Sequence, residues 1–367
     1  MAGQLILLAA GGTGGHLFPA EALAHALAAR GFTVHLATDE RATKYGKAFP
    51  AAETHEIPSA TPSGRSPAQM LAAGAKLAQG VLAAWSLVGR LKPACVVGFG
   101  GYPTVPPVLA AALRGVPTII HEQNGVLGRA NRLLAPRARI IATGFADVRG
   151  VAGALKGKQR QTGNPVRLPV LDAARIPFAA PEPGGPLHVV VFGGSQGARV
   201  MSDVVPPALE RLTPAERGRL HLVQQARDED LARVRDHYAR LGVAAEVSPF
   251  FGDMPARIAQ AQLVVARSGA STVAELTVIG RPSILVPLAQ SLDGDQAANA
   301  VSLEASGAAT VIRQADFTPE RLAAELSARL ADPSGLTRAA EAAKSAGIPD
   351  AADRLADLVA EVAASAR

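Results

Sequence analysis

Leu5-Ile6-Leu7-Leu8-Ala9-Ala10-Gly11-Gly12-Thr13-Gly14-Gly15-His16 is a short apolar run that feeds straight into a glycine turn, with alanine-rich sequence of helical character beyond it. A buried strand, a tight turn and a helix in that order make the opening βα unit of a doubly wound parallel sheet. The same order returns at Leu187-His188-Val189-Val190-Val191-Phe192-Gly193-Gly194-Ser195-Gln196-Gly197-Ala198. Two Rossmann-like halves are therefore expected, facing one another across a cleft. Candidate strands at Leu5–Ala10, Val34–Thr38, Ala94–Gly98, Thr118–His121 and Arg139–Thr143 fill the first half. Those at Leu187–Phe192, Leu220–Gln224, Leu263–Ala266 and Ser283–Val286 fill the second. Strands alternating with helices imply parallel sheets with right-handed crossovers. Six prolines fall within the 22 residues from Pro165 to Pro186, and proline resists both helix and central strand, so this segment reads as linker and hinge. The expected division is a Rossmann-like domain over residues 1–164, a second over 165–346, and a terminal helix over about 347–367. That helix starts at Pro349-Asp350, carries Leu355, Leu358, Val359 and Val362 at helical spacing, and could cap either half.

At 367 residues, with 48% hydrophobic and 19% charged, the chain has material for two cores and little for disorder. The one cysteine, Cys95, excludes a disulfide framework and a cysteine-rich zinc site, and its apolar neighbours make it a buried strand residue. The apolar start lacks a basic flank and runs into glycines, so it reads as a strand and not as a signal peptide. The weakly charged stretch Ser66–Gly89 is too alanine-rich for a convincing membrane span. Met70, Leu77, Val81, Trp85 and Val88 nevertheless form an apolar helical seam beside Arg65 and Lys76, suited either to the core or to a membrane interface. Charge is uneven: residues 1–176 carry +11 and the remainder −5. Nine basic residues between Arg129 and Arg167 meet only Asp147, which points the first half toward something anionic, whether nucleic acid, phospholipid or a phosphorylated substrate.

The loop Gly11–His16 is no P-loop, since no Gly-Lys-Ser/Thr follows, and it lacks the last glycine of a dinucleotide fingerprint. It leaves room for close approach of a ligand to the backbone and presents His16 at a helix N-terminus, where a neutral imidazole is favoured. Gly193–Ala198 offers free helix amides and the Ser195 hydroxyl, an anion site suited to a diphosphate without a metal. Arg167, closing Gly163-Asn164-Pro165-Val166-Arg167, is a candidate to assist it. Glu275, in the third strand–turn–helix Arg267–Glu275, would lie on the first or second helical turn, where a carboxylate can take both ribose hydroxyls or simply complement the helix dipole. Asp293–Asn299 adds groups for sugar hydroxyls, or a polar helix cap. His121-Glu122-Gln123-Asn124-Gly125, four polar residues at a strand's carboxyl end, has the character of a site. The eight histidines are scattered and none forms a His-x-x-x-His pair, so no metal site is expected.

Gly-Gly-Thr-Gly-Gly-His at 11–16, Gly-Gly-Tyr-Pro at 100–103, His-Glu-Gln-Asn-Gly at 121–125, Gly-Asn-Pro-Val-Arg at 163–167, Gly-Gly-Ser-Gln-Gly-Ala at 193–198 and Arg-Ser-Gly-Ala-Ser-Thr at 267–272 occur in one order. Together they resemble the MurG family of cell-wall GlcNAc transferases over essentially the whole chain. The resemblance implies a GT-B fold and transfer of GlcNAc from UDP-GlcNAc to the MurNAc C4 hydroxyl of lipid I, undecaprenyl-diphosphate-MurNAc-pentapeptide, with inversion and no cofactor. It implies donor contacts from Thr13, Gly14, Gly15, Asn124, Arg167, Ser195, Gln296 and, on the ribose, Glu275. Phe251 falls in the family's uracil-contacting loop. His16 and Asn124 are the catalytic candidates, His16 as general base. Where the family often has two glutamines, this chain has Asp295-Gln296. The resemblance further implies a peripheral place on the cytoplasmic face of the inner membrane, against its anionic surface and not nucleic acid, with cell-wall or division proteins as partners. Three other readings compete: a UDP-GlcNAc 2-epimerase, a diacylglycerol glucosyltransferase, and a non-catalytic UDP-GlcNAc-binding scaffold. An epimerase would need further carboxylates at the site.

Overall fold

The computed structural model describes residues 3–11, 13–40, 49–60, 66–194, 197–289, 291 and 293–365. The chain divides into two compact units, Met1–Arg167 with Pro349–Arg367, and Leu168–Ile348.

In the first unit, β1 Leu5–Ala9, β2 Thr33–Thr38, β3 Glu53–Glu56, β4 Cys95–Gly98, β5 Thr118–Glu122, β6 Ile140–Thr143 and β7 Gln159–Gln161 form one sheet. Its order is β3-β2-β1-β4-β5-β6-β7, parallel throughout, with Ile6 opposite both Val34 and Cys95. Both faces are covered, which is why the central strands read as unbroken apolar runs and not as alternating ones. Ile6 and Leu8 point to one layer with Leu23, Leu27, Leu36 and Cys95, while Leu7 and Ala9 point to the other with Val96, Val108 and Ile120. Burial pushes the Cys95 thiol up to about 12, so it is an inert core residue.

The terminal helix Ala351–Ala364 belongs to this unit. Its Leu355, Ala356, Val359, Val362 and Ala363 join the layer of Leu23 and Leu27 from the helix Gly14–Ala29. Arg30 ties the pair, donating to the Asp353 carbonyl at 3.1 Å and to Asp357 at 2.8 Å.

The helix Pro67–Leu91 begins with a capping box, in which Ser66 accepts from the Gln69 N–H and Gln69 accepts from that of Ser66. It ends at Lys92 in the left-handed region, φ 47°. The apolar seam read from sequence divides between core and surface. Val88 is a core residue, with Ala84 and Leu87, and Leu77 packs against that core. The exposed apolar residues are Met70, Leu71, Leu82 and Trp85, the last beneath the Arg114 guanidinium at 4.2 Å from the ring centre. By length and composition this helix could also span a bilayer, although most of it is not buried in the protein.

In the second unit, β8 Leu187–Phe192, β9 Leu220–Gln225, β10 Ala244–Ser248, β11 Leu263–Ala266, β12 Ser283–Leu285 and β13 Ala309–Val311 run parallel in the order β10-β9-β8-β11-β12-β13. The proline-rich segment after Arg167 is fastened to this unit through its carbonyls. Lys344 donates to Ala174 O at 3.0 Å, Gln262 to Ala179 O at 3.3 Å and Arg219 to Gly185 O at 2.8 Å. Arg281, 1% exposed, donates to Ile176 O and Pro177 O, and also to Ala259 O, Ile279 O and Gly280 O at the ends of two helices. The carbonyls stand in for a counter-ion, and burial brings its pKa down to about 10. What reads in sequence as a hinge is thus largely part of the second unit's packing.

Two histidine pairs appear that the linear sequence hides. His188 and His221 lie opposite in the β8–β9 register and stack with ring centres 4.9 Å apart. His35 on β2 and His55 on β3 approach to 2.9 Å between Nδ1 and Nε2, beside Glu53. Burial lowers the pKa of His55, against the opposing pull of the Glu53 carboxylate.

Candidate active site

In each unit the chain reverses its direction of travel across the sheet beside the first strand, between β1 and β4 and between β8 and β11. Ligands of open α/β sheets bind at the carboxyl ends of strands at such switch points. The sequence motifs fall there: Gly11–His16 follows β1 and Gly100–Pro103 follows β4, while Gly193–Ala198 follows β8 and Arg267–Thr272 follows β11.

In the first unit Thr13 is the N-cap of Gly14–Ala29, and its side chain makes no cap bond to the helix backbone. The Thr13 Oγ1 instead lies 3.3 Å from His16 Nδ1. The His16 ring rests on the backbone of Gly100 and Gly101, which adopt φ 83° and 72°. A Cβ on Gly101 would come within 3.3 Å of the ring, so glycine there meets two demands, the left-handed backbone and the imidazole seat. Arg167 lays its guanidinium over Phe18, 4.0 Å from the ring centre, on the helix that starts at Gly14.

The polar run that closes β5 and continues past it is mostly scaffolding. His121, fully buried, bonds through Nε2 to Gly163 O at 3.0 Å, and burial depresses its pKa to about 4, so it is neutral. Gln123 donates to Phe99 O and Asn164 donates to Gln123 O, both at 2.9 Å. Glu122, 2% exposed, accepts from the Asn124 N–H at 3.0 Å, the Asn124 side-chain amide at 3.3 Å, the Gly128 N–H at 2.8 Å and the Asn131 amide at 2.9 Å. Burial raises its pKa while those four donors favour the carboxylate. Glu122 therefore holds the loop that presents Asn124, half-buried at the strand end. The residue pattern marked the whole run as a site and the family resemblance picked Asn124 from it, but neither revealed Glu122 as its holder.

In the second unit, Ser195 and Gln196 lie outside the described residues, as does Gly12 in the first. The helix Arg199–Glu210 that follows the turn has Ala198 at its N-cap and no side-chain cap, so its first amides have no intrahelical acceptor and point to the turn. At Gly193 a Cβ would lie 2.2 Å from Ala198 N, so the turn closes only with glycine. Glu275 is half-buried on the second turn of Ala270–Ile279. Ser268 Oγ donates to Gln296 O at 2.8 Å and Asn299, fully buried, donates to Ser268 O at 3.1 Å, which locks the turn after β11 to the helix Asp295–Ala305. The Gln296 side-chain oxygen accepts the Leu288 N–H at 3.0 Å, and the carboxylate of Asp295 accepts the Gln296 N–H at 2.9 Å, a capping role for a residue whose part the sequence left open. Arg267 is turned inward onto Val286 O, Pro287 O and Gln314.

Phe251 is 7% exposed beneath the Arg257 guanidinium, which Glu246 grips through both oxygens and Asp253 through one. Its neighbour Phe250 is 73% exposed, so of the two rings in this loop Phe250 lies open to solvent while Phe251, the one singled out from sequence, is packed inside.

Two all-parallel α/β units, each with a glycine turn and motif residues at its switch point, define the GT-B class of glycosyltransferase. Residues 6–143 match the glycosyltransferase family 28 N-terminal domain and residues 188–355 its C-terminal domain. The chain belongs to the MurG family, the UDP-N-acetylglucosamine--N-acetylmuramyl-(pentapeptide) pyrophosphoryl-undecaprenol N-acetylglucosamine transferases. A protein of that name from Methylobacterium radiotolerans is 60% identical over 98% of both chains, and one from Rhodopseudomonas palustris is 59% identical over 98% of both. The MurG crystal structure from Acinetobacter baumannii aligns with 98% of this chain and 99% of its own, at 28% identity and a TM-score of 0.78. A UDP-GlcNAc 2-epimerase from Neisseria meningitidis aligns over 97% of this chain and 99% of its own, at 12% identity and a TM-score of 0.68, a likeness of fold alone.

Proposed function

We propose that this chain transfers GlcNAc from UDP-GlcNAc to the MurNAc C4 hydroxyl of lipid I, forming a β-linkage with inversion. The observation that carries the reading is 60% identity over 98% of a relative with that transferase name, in a chain whose glycine turns both lie at switch points. The second unit would take the donor, its diphosphate against the amides that open Arg199–Glu210 and its ribose at Glu275, with Gln296 toward the sugar. Positive helix-end dipoles at the leaving diphosphate supply the electrostatic help that transfer to a sugar hydroxyl requires. The first unit would take the acceptor. There His16 accepts the hydroxyl proton as the oxygen attacks the anomeric carbon and the bond to UDP breaks, and Asn124 orients the reacting groups.

The acceptor's lipid chain places the reaction at a membrane, and the proposed location is peripheral, on the cytoplasmic face of the inner membrane. Met70, Leu71, Leu82 and Trp85 give an exposed apolar strip, and Arg129, Arg132, Arg137, Arg139 and Arg160 are exposed cations for anionic headgroups.

The direct assay is purified protein with radiolabelled UDP-GlcNAc and a short-chain lipid I analogue in EDTA. A β-linked disaccharide product is expected, and failure of transfer, or transfer only after adding a divalent metal, overturns the mechanism. His16→Ala should lower kcat by about 100-fold or more, in the range general-base removal produces, while donor binding persists. Unchanged turnover would remove His16 from the reaction.

A further inference from the structure

We infer that His35, Glu53 and His55 form a binding site for one divalent transition-metal ion of the zinc class, clipped across the edge of the first unit's sheet. The register carries the argument. His35 on β2 lies opposite Glu53 on the parallel strand β3, and His55 is two residues beyond Glu53. The pleat therefore sends all three side chains to one face. The two imidazoles present Nδ1 of His35 and Nε2 of His55 to each other at 2.9 Å, and a Glu53 oxygen stands 3.8 Å from that Nδ1. Ligand atoms around a tetrahedral zinc ion, bound at about 2.0–2.1 Å, sit about 3.3 Å apart. One gap opens by about 0.4 Å and the other closes by about 0.5 Å to meet that figure.

The two imidazoles are about nine-tenths buried on backbone held by the sheet, whereas the Glu53 side chain is 59% exposed. The carboxylate can therefore close its gap and give the ion a way in from solvent, while a small turn of the rings about their side-chain torsions opens the other. The imidazole pair now shares one proton in its hydrogen bond, and an ion replacing it sends that proton to the other nitrogen of the same ring, so both ligands stay neutral imidazoles. Two imidazole nitrogens and a carboxylate, with a fourth position open to water, suit zinc or its neighbours and not the oxygen-seeking calcium or magnesium. Arg90 acts on His55 as a like charge to the incoming ion, and Glu53 offsets it. Seated there, the ion would fasten the exposed edge strand β3 to β2. It takes no part in glycosyl transfer.

Cobalt(II) added to metal-free full-length protein reports on this site without donor or acceptor, so the outcome stands apart from the transferase reading. The expected result is a tetrahedral cobalt absorption band saturating at one ion per chain, bleached by zinc, with zinc also raising the melting temperature. His35→Gln and His55→Gln, checked for native circular dichroism, should weaken cobalt binding about ten-fold or more, with a smaller loss for Glu53→Gln. His188→Gln should leave the band intact. A missing band at equimolar cobalt, or a band unchanged in all three site variants, overturns the proposal.

Discussion

Glu122 sits where a carboxylate is costly to bury, and it is kept there by the four donors of the loop it organises. Glu122→Gln exchanges one acceptor oxygen for an NH2 that faces donors, so one or two buried N–H groups lose their partner. The expected cost is about 1–3 kcal/mol in stability, read by denaturant unfolding, and kcat should fall further than KM rises because Asn124 loses its support. Native stability with native kcat would show that the loop holds its shape without Glu122. His121 gives a pH signature. Its folded pKa of about 4 lies below the ordinary 6.5, so between those values the unfolded chain binds a proton that the folded chain excludes. Stability should then drop as pH falls from 6.5 toward 4, by roughly 3 kcal/mol from this residue. His55, also lowered, adds in the same direction. The readout is therefore the difference between wild type and His121→Gln, and equal pH slopes in the two would count against the assignment. At this scale the motif was legible as four polar residues in a row. Asn124 was named by the family resemblance, but the holding roles of its neighbours were not legible, because the partners Phe99, Asn131 and Gly163 lie elsewhere in the sequence.

Element by element, the strands that sequence reveals are the central ones. Leu187–Phe192 and Leu263–Ala266 have the bounds their apolar runs predict. The strands sequence missed are β3, β7, β10 and β13, the outermost of the two sheets, with polar or half-exposed patterns such as Glu-Thr-His-Glu and Gln-Arg-Gln. An edge strand packs on fewer neighbours and guards its free side with charge, so it carries little hydrophobic signal. The helix Pro67–Leu91 presents the reverse case, a legible element whose apolar seam divides between core and surface. Leu71 and Leu82 are 78% and 72% exposed, so Leu71→Glu with Leu82→Glu should change stability by less than about 0.5 kcal/mol per site. Flotation with anionic vesicles should show markedly weaker binding in the double variant. Binding equal to wild type would take this helix out of the membrane contact.

For the molecule as a whole, the last fourteen residues of helix complete a core begun by the first thirty. Removing Ala351–Ala364 uncovers Leu23 and Leu27, and Leu355→Ala alone should cost about 2–5 kcal/mol. Calorimetry should then show the first unit melting earlier while the second, which holds none of that helix, keeps its transition. A common shift of both would argue against two separate cores. The histidine trio and the pinned carbonyls were illegible for the same reason, since each is assembled by register and chain return and not by neighbours in sequence.

Arg281 sets the terms on which the second unit could be cut out and studied alone. A fragment trimmed to begin at Leu187, where β8 starts, would discard Ile176 O and Pro177 O and leave one buried N–H of the Arg281 guanidinium without its acceptor, the others keeping Ala259 O, Ile279 O and Gly280 O. Such a fragment should be poorly soluble and prone to aggregate, whereas one beginning at Leu168 carries its own acceptors with it. The true start of the second unit's foldable sequence is therefore nineteen residues ahead of its first strand.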